Sequence, residues 1–159
     1  MSRIAVQIMS LDVGDKRIGV AFGESGIRIA VPYRTIDNDE KTMTTLAQFI
    51  NKNDIDILVV GRPIDQEGRA TEQTAKTEEF MKKMMEALLA DKSNREIELA
   101  SWGESGTSMI AEDVLKKTGR SYSKGDIDMQ AAAVILQDFM ESNEFGRLVK
   151  KVAERKAAA

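Results

Sequence analysis

The 159 residues include no cysteine and no histidine. The first absence excludes disulfides, thiolate metal sites and thiol nucleophiles. The second removes Ser-His-Asp triads, histidine general bases and most zinc sites. Hydrolytic chemistry in this chain must rest on carboxylates, lysine, hydroxyls or a metal held by oxygen ligands. No stretch approaches the roughly 20 apolar residues that cross a bilayer. The opening MSRIAVQIMSLD has neither the long apolar segment nor the cleavage site of a secretory signal. The expectation is a cytoplasmic chain without membrane contact. Strong positive charge is missing too: the net charge is -3, so binding a polyanion calls for a local basic patch or a metal that bridges to phosphate.

What is present suits one domain with a sizeable core. Apolar residues make up 42% and charged residues 31%, the balance of an ordinary globule, and no internal repeat or linker stands out. Residues 4–11, 17–22 and 27–31 read as three short strands, joined through DVGDK and GESG; such turns predict an antiparallel meander. DNDEKTMTTLAQFINKN switches to helical spacing, with Met43, Leu46, Ala47 and Ile50 on one face. DILVVG (56–61) is a continuous apolar run, as in a strand covered on both faces. A loop with Gly61, Pro63 and Gly68 leads to a long helix over about 71–90, with Phe80, Met84 and Leu88 inward. REIELAS (95–101) reads as a fifth strand, a helix over about 107–117 stops at Gly119, and a last helix runs over about 126–141. The predicted domain is 1–145, with 146–159 as a charged, Ala-rich tail, frayed or disordered. Three antiparallel strands followed by alternating helices and strands predict an α/β fold: a mixed five-stranded sheet with helices on both faces, the order of the ribonuclease H-like fold.

Three carboxylates stand out against that frame. Asp12 ends the first strand, Glu104 lies just past the fifth, and Asp128 lies in the first turn of the last helix. Ligand sites in mixed α/β sheets gather at the carboxyl ends of parallel strands. Asp128 shares a helix face with Ala131, Ala132, Ile135 and Phe139, the face that must dock on the sheet, and the small alanines let the helix come close. Converging carboxylates repel unless a cation neutralises them. Oxygen-only ligands select a hard ion, Mg²⁺ or Mn²⁺, and two such ions bridged by Asp12 would suit phosphodiester hydrolysis. Each residue also has a plainer role: Asp12 as an Asx-turn residue before Gly14, Glu104 as a solvated loop residue, Asp128 at the positive end of a helix with Asp126 as N-cap.

These residues match a known family. LDVGDKRIGVA, ILVVGRPIDQEG, the Glu in SWGESGTS, and KGDIDMQAAAVIL resemble the motifs of the YqgF/RuvX family, ribonuclease H-like proteins described as pre-16S rRNA nucleases and as Holliday junction resolvases. The likeness extends over about residues 4–140. It implies catalytic and metal-binding roles for Asp12, Glu104 and Asp128, a nucleic-acid substrate (precursor rRNA or branched DNA), and, for junction cleavage, a homodimer. One stretch departs: where the family shows Asp-Glu-Arg, this chain has Gly103-Glu104-Ser105, with Thr107 and Ser108 after it.

The loop GRPIDQEGRATEQT offers close backbone approach at Gly61 and Gly68 and fixed charge at Arg62 and Arg69, a candidate grip on a phosphate backbone. Gly14, Lys16 and Arg17 in the first hairpin and Lys124 ahead of Asp128 extend that patch. The single tryptophan, Trp102, suits stacking on an unpaired base or burial against the neighbouring helix. Two other functions stay open at this level. A catalytically silent nucleic-acid-binding or ribosome-assembly factor fits the departures at Gly103 and Ser105. An actin-like ATP-binding protein also opens on an Asp-x-Gly hairpin, but needs two such domains around a cleft.

Overall fold

The computed structural model describes residues 4–65, 67–90, 96–104 and 106–158, with Glu104 through its backbone alone. Its elements are β1 (Gln7–Val13), β2 (Arg17–Glu24), β3 (Val31–Asp37), α1 (Thr42–Lys52), β4 (Ile57–Pro63), α2 (Glu72–Ala90), β5 (Glu98–Glu104), α3 (Thr107–Lys116), α4 (Lys124–Met140) and α5 (Asn143–Ala158). The strands form one sheet in the order β3-β2-β1-β4-β5. The β1–β2 and β2–β3 pairs are antiparallel, and β1–β4 and β4–β5 are parallel. This is the expected mixed ribonuclease H-like sheet.

Strand periodicity sorts the core into two layers. Ile8, Ile57 and Val59 point to the face covered by α4 and α5, where they meet Ala132, Ile135, Phe139, Phe145 and Leu148. Met9, Leu11, Leu58 and Val60 point to the other, against Leu46 and Ile50 of α1 and Phe80 and Met84 of α2. The run at 57–60 is therefore apolar at every position because both of its faces are covered.

Four local expectations change. The third strand is Val31–Asp37 rather than 27–31; Ile27 and Ile29 are exposed. The strand accepts Pro32 because β3 is an edge strand, where a missing N–H costs no ladder bond. Tyr33 holds it in place, stacked on Phe22 with ring centroids 4.3 Å apart. The first strand starts and ends later than 4–11, so Asp12 lies inside β1, and β5 likewise reaches Glu104, which ends the strand instead of following it. Arg95, expected to open that strand, lies outside the described residues. The last-but-one helix starts at Lys124, with Ser123 as N-cap and Asp126 as its capping-box partner, so Asp128 stands in the second turn. Finally, residues 143–158 are a helix, not a frayed tail. Phe145, Leu148 and Val152 recur at spacings of three and four and are buried, and Lys156 Nζ reaches the buried Asp56 at 2.7 Å. The Lys and Arg residues that make this segment look solvated lie on its outer face or serve such pairs.

Candidate active site

β1, β4 and β5 run parallel, so the last residues of all three strands share one edge of the sheet. In register, Leu11 faces Val60, Gly61 faces Trp102, and Pro63 faces Glu104. This sets Asp12 beside the Gly61 strand and the Glu104 backbone at the far end of the same edge. The start of α2 ties the edge together: Gln73 Nε2 donates to the Val13 carbonyl at 3.1 Å and Thr74 Oγ1 donates to that of Pro63.

Asp128 arrives from α4, and two glycines decide how close it comes. Gly19 of β2 is the register partner of Asp12. A Cβ on Gly19 would collide with the Asp128 carbonyl group and with the Met129 backbone nitrogen. A Cβ on Gly61 would collide with the end of the Ile135 side chain. Both positions are bare because the helix backbone rests directly on the sheet. Two side chains pin it there: Ser10 Oγ donates to the Ala132 carbonyl at 2.7 Å, and Thr35 Oγ1 donates to that of Gly125 at 2.5 Å.

The result is a pair of carboxylates at one edge. Burial, and then the charge of Asp128, push the Asp12 carboxyl up to about 6 from its ordinary 3.8. Among the described residues no hydrogen bond contributes to that shift, and a desolvated carboxylate without one disfavours its ionised form. Asp128 has a partner of its own: Arg17 Nε lies 2.6 Å from Oδ2. A cleft of about 210 Å³ opens against Asp12, bounded by Gly61, Pro63, Ile64, Ile135 and the start of α3 at Gly106 to Met109. Gly106 takes the left-handed conformation (φ 69°) and no side chain caps α3. Thr107 Oγ1 is buried without a partner among the described residues.

This set suits a hard cation: a carboxylate whose charged form is unfavourable, a second carboxylate beside it, and a hydroxyl oxygen without a partner among the described residues. Among the described residues no cluster of three acidic, histidine or cysteine side chains forms. The Glu104 side chain, the third expected ligand, and Ser105 lie outside what is described.

The other expected site residues divide. Arg17 sits inside the site, on Asp128. Gly61 lines the cleft, but the close approach it permits is made by Ile135, not by a ligand. Gly14 closes the first hairpin, its N–H donating to the Arg17 carbonyl at 2.9 Å. Lys16 in that hairpin and Lys124 at the start of α4 have exposed side chains. Arg62, at the end of β4, pairs with Glu78 at 3.0 Å. Arg69 pairs with Asp65 and Glu67 in its own loop, at 2.9 and 2.6 Å, where Gly68 turns with φ 81°. Trp102 packs edge-on against Phe139, centroids 5.5 Å apart, and its Nε1 donates to Asp138 at 2.5 Å; its ring is engaged by α4 rather than offered to a base.

Gly19, Ser10 and Thr35 have no role that the sequence announces. Gly19 stands in the quoted IGVA run, yet only the helix lying over it explains the glycine. Thr107 is visible in sequence as one of two adjacent hydroxyls, but its burial in the cleft is not.

Comparison with known proteins identifies the family of the chain. A family model described as "RuvX: Holliday junction resolvase" matches residues 6–142. A protein of Salinibacter ruber named "Putative pre-16S rRNA nuclease" is 37% identical over 138 residues, covering 84% of this chain and 92% of its own. A protein of Desulforamulus reducens with the same name is 34% identical over 141 residues, covering 86% and 98%. Among solved structures, RuvC of Thermus thermophilus in complex with a Holliday junction substrate superposes with a TM-score of 0.52 at 13% identity, over 85% of this chain and 94% of that one. The yeast mitochondrial Holliday junction resolvase gives 0.52 at 16% identity, over 85% and 78%. At such identities these two structures speak for the fold alone.

Proposed function

The chain belongs to the RuvX family of nucleases, and we propose that it hydrolyses phosphodiester bonds of precursor 16S rRNA in the cytoplasm with Mg²⁺ or Mn²⁺, as a pair of ions, held by Asp12, Glu104 and Asp128. The observation that carries this reading is the forced approach of Asp12 and Asp128 through Gly19, which leaves Asp12 desolvated and facing a like charge. A protein that keeps so unfavourable a group at the mouth of a cleft has a use for its charge.

A bound divalent cation supplies Lewis acidity toward water and phosphate. The chain's own residues do the rest. Asp12 lies on β1, between β2 under Asp128 and the β5 end at Glu104, and would be the residue shared by the cations. The Thr107 hydroxyl supplies a further oxygen in the cleft. Arg17 and Arg62 stand on either side of Asp12, at the start of β2 and the end of β4, and supply charge for the backbone phosphates flanking the cut. Lys16 and Lys124 extend that basic rim, and the Gly61–Gly68 loop borders it.

Cleavage of a precursor 16S rRNA fragment by the purified protein, with Mn²⁺ and then in excess chelator, tests this. Cleavage with metal and none with chelator is expected; undiminished cleavage in chelator sinks the metal mechanism. The family description favours a second substrate, the four-way DNA junction. Symmetric junction cutting needs two sites and hence a homodimer. A dimer in solution that cuts matched junction DNA faster than the RNA would move the assignment there. Nucleic-acid binding without cleavage under any metal would leave a silent assembly factor.

A further inference from the structure

Arg17 is unusual among the cations of this edge because its partner is an acid assigned to the metal. Arg62 is bonded to Glu78, and Arg69 to Asp65 and Glu67, none of which belongs to the acidic cluster. Arg17 Nε instead lies 2.6 Å from Asp128 Oδ2, with the arginine side chain 37% exposed and the aspartate 22%. The arginine therefore has solvent on one side and the acidic pair on the other. Its backbone is fixed by the β2 register opposite Asp37 and by the hairpin bond from Gly14. Only the side chain is free to move.

We propose that Arg17 is an exchangeable counter-ion: it occupies Asp128 in the metal-free protein, yields that carboxylate to the incoming divalent cation, and then turns to a phosphate of the nucleic acid. This rests on the metal assignment made above. The charges explain why the two states alternate. Without metal, Asp12 and Asp128 stand together, and Arg17 offsets one of them. A divalent ion on both would neutralise the pair, and the attraction that holds the guanidinium on Asp128 would be lost. A guanidinium so displaced needs a new anion, and its planar fork suits a phosphate. Metal and substrate are thereby coupled, since each favours the protein form in which Arg17 has left Asp128.

Four proteins test this: wild type, Arg17→Gln, Arg17→Lys and Asp12→Asn. Mn²⁺ affinity is read by calorimetry, and the Arg17 Nε–Hε resonance is followed during Mg²⁺ titration. Loss of the competing charge should tighten Mn²⁺ binding about tenfold in Arg17→Gln, and Arg17→Lys should stay close to wild type. The resonance should shift as Mg²⁺ binds. The salt dependence of RNA binding should lose about one unit of slope in Arg17→Gln when Mg²⁺ is present, and should not change in chelator. Equal Mn²⁺ affinity in wild type and Arg17→Gln, with a resonance indifferent to Mg²⁺, overturns the exchange and makes Arg17 a fixed strut on Asp128. If Mn²⁺ binding is lost in Asp12→Asn but untouched at Arg17, only this proposal falls. If wild type binds no Mn²⁺, the metal assignment falls and this with it.

Discussion

Gly19 lies directly beneath the backbone of Asp128, so closely that no side chain fits between them. Gly19 is also the register partner of Asp12. One missing Cβ therefore sets the separation of two acids more than a hundred residues apart in sequence. Substituting Gly19→Ala should push the start of α4 off the sheet. We expect a loss of about 1–3 kcal/mol, the usual range for overpacking a tight contact, together with weaker Mn²⁺ binding. Urea denaturation and a metal titration on the same sample check it. Unchanged metal affinity would mean that α4 tolerates the shift without moving Asp128.

The second prediction concerns pH. Asp12 holds its proton more tightly in the folded chain, to about pH 6, than its ordinary value of 3.8. Its contribution to stability is therefore fully present below pH 3.8 and is lost as pH rises through about 6. The loss amounts to about 3 kcal/mol at neutral pH in the metal-free protein, because each pH unit between the two values is worth about 1.4 kcal/mol. Asp12→Asn lacks this titration. In chelator the two proteins should melt alike near pH 4, and the variant should melt higher at pH 7.5. Mn²⁺ should then stabilise the wild type and leave the variant unmoved, while cleavage is abolished. A variant that still cleaves would falsify the metal role and leave Asp12 as a strand residue without one.

Arg62 is restrained by Glu78 in an exposed pair, and such pairs contribute little to stability. Arg62→Ala should leave the melting temperature nearly unchanged and weaken RNA binding, with a salt slope lower by about one. Glu78→Gln, which frees the guanidinium, should strengthen binding about two- to fivefold by the same charge argument. Filter binding at two salt concentrations tests both. Identical curves for all three proteins would return Arg62 to a solvated surface role.

The last prediction concerns α5. Phe145 is fully buried, packs edge-on against Phe139 at 5.8 Å, and lies under the Arg28 guanidinium at 5.4 Å. Phe145→Ala should cost about 3–5 kcal/mol, the range for a large aromatic removed from a core. Cleavage below the new melting temperature should persist, because the helix lies away from the cleft. A melting temperature within a degree of wild type would show that α5 is dispensable.

Much of this architecture is written in local chemistry. The absence of histidine and cysteine confines catalysis to oxygen ligands. The continuous apolar run at 57–60 specifies a strand with two covered faces, and the Ala-rich stretch 131–133 specifies a helix that docks closely. Asp12 and Asp128 are legible as candidates because each sits where such an element ends or begins. Other features depend on neighbours distant in the chain. Pro32 is acceptable in a strand only because that strand is at the edge, and the charged 146–158 segment is a packed helix only because the sheet offers Phe145, Leu148 and Val152 a face to cover. The partners of the arginines belong to the same class. Nothing near Arg17 in sequence announces Asp128, since ion pairing follows distance in space and the strand–helix contact that creates it closes over 111 positions. The sequence by itself determined which chemistry is available, and the tertiary structure decided which charges meet, because a fold brings carboxylates together only where a backbone such as that of Gly19 leaves room for them.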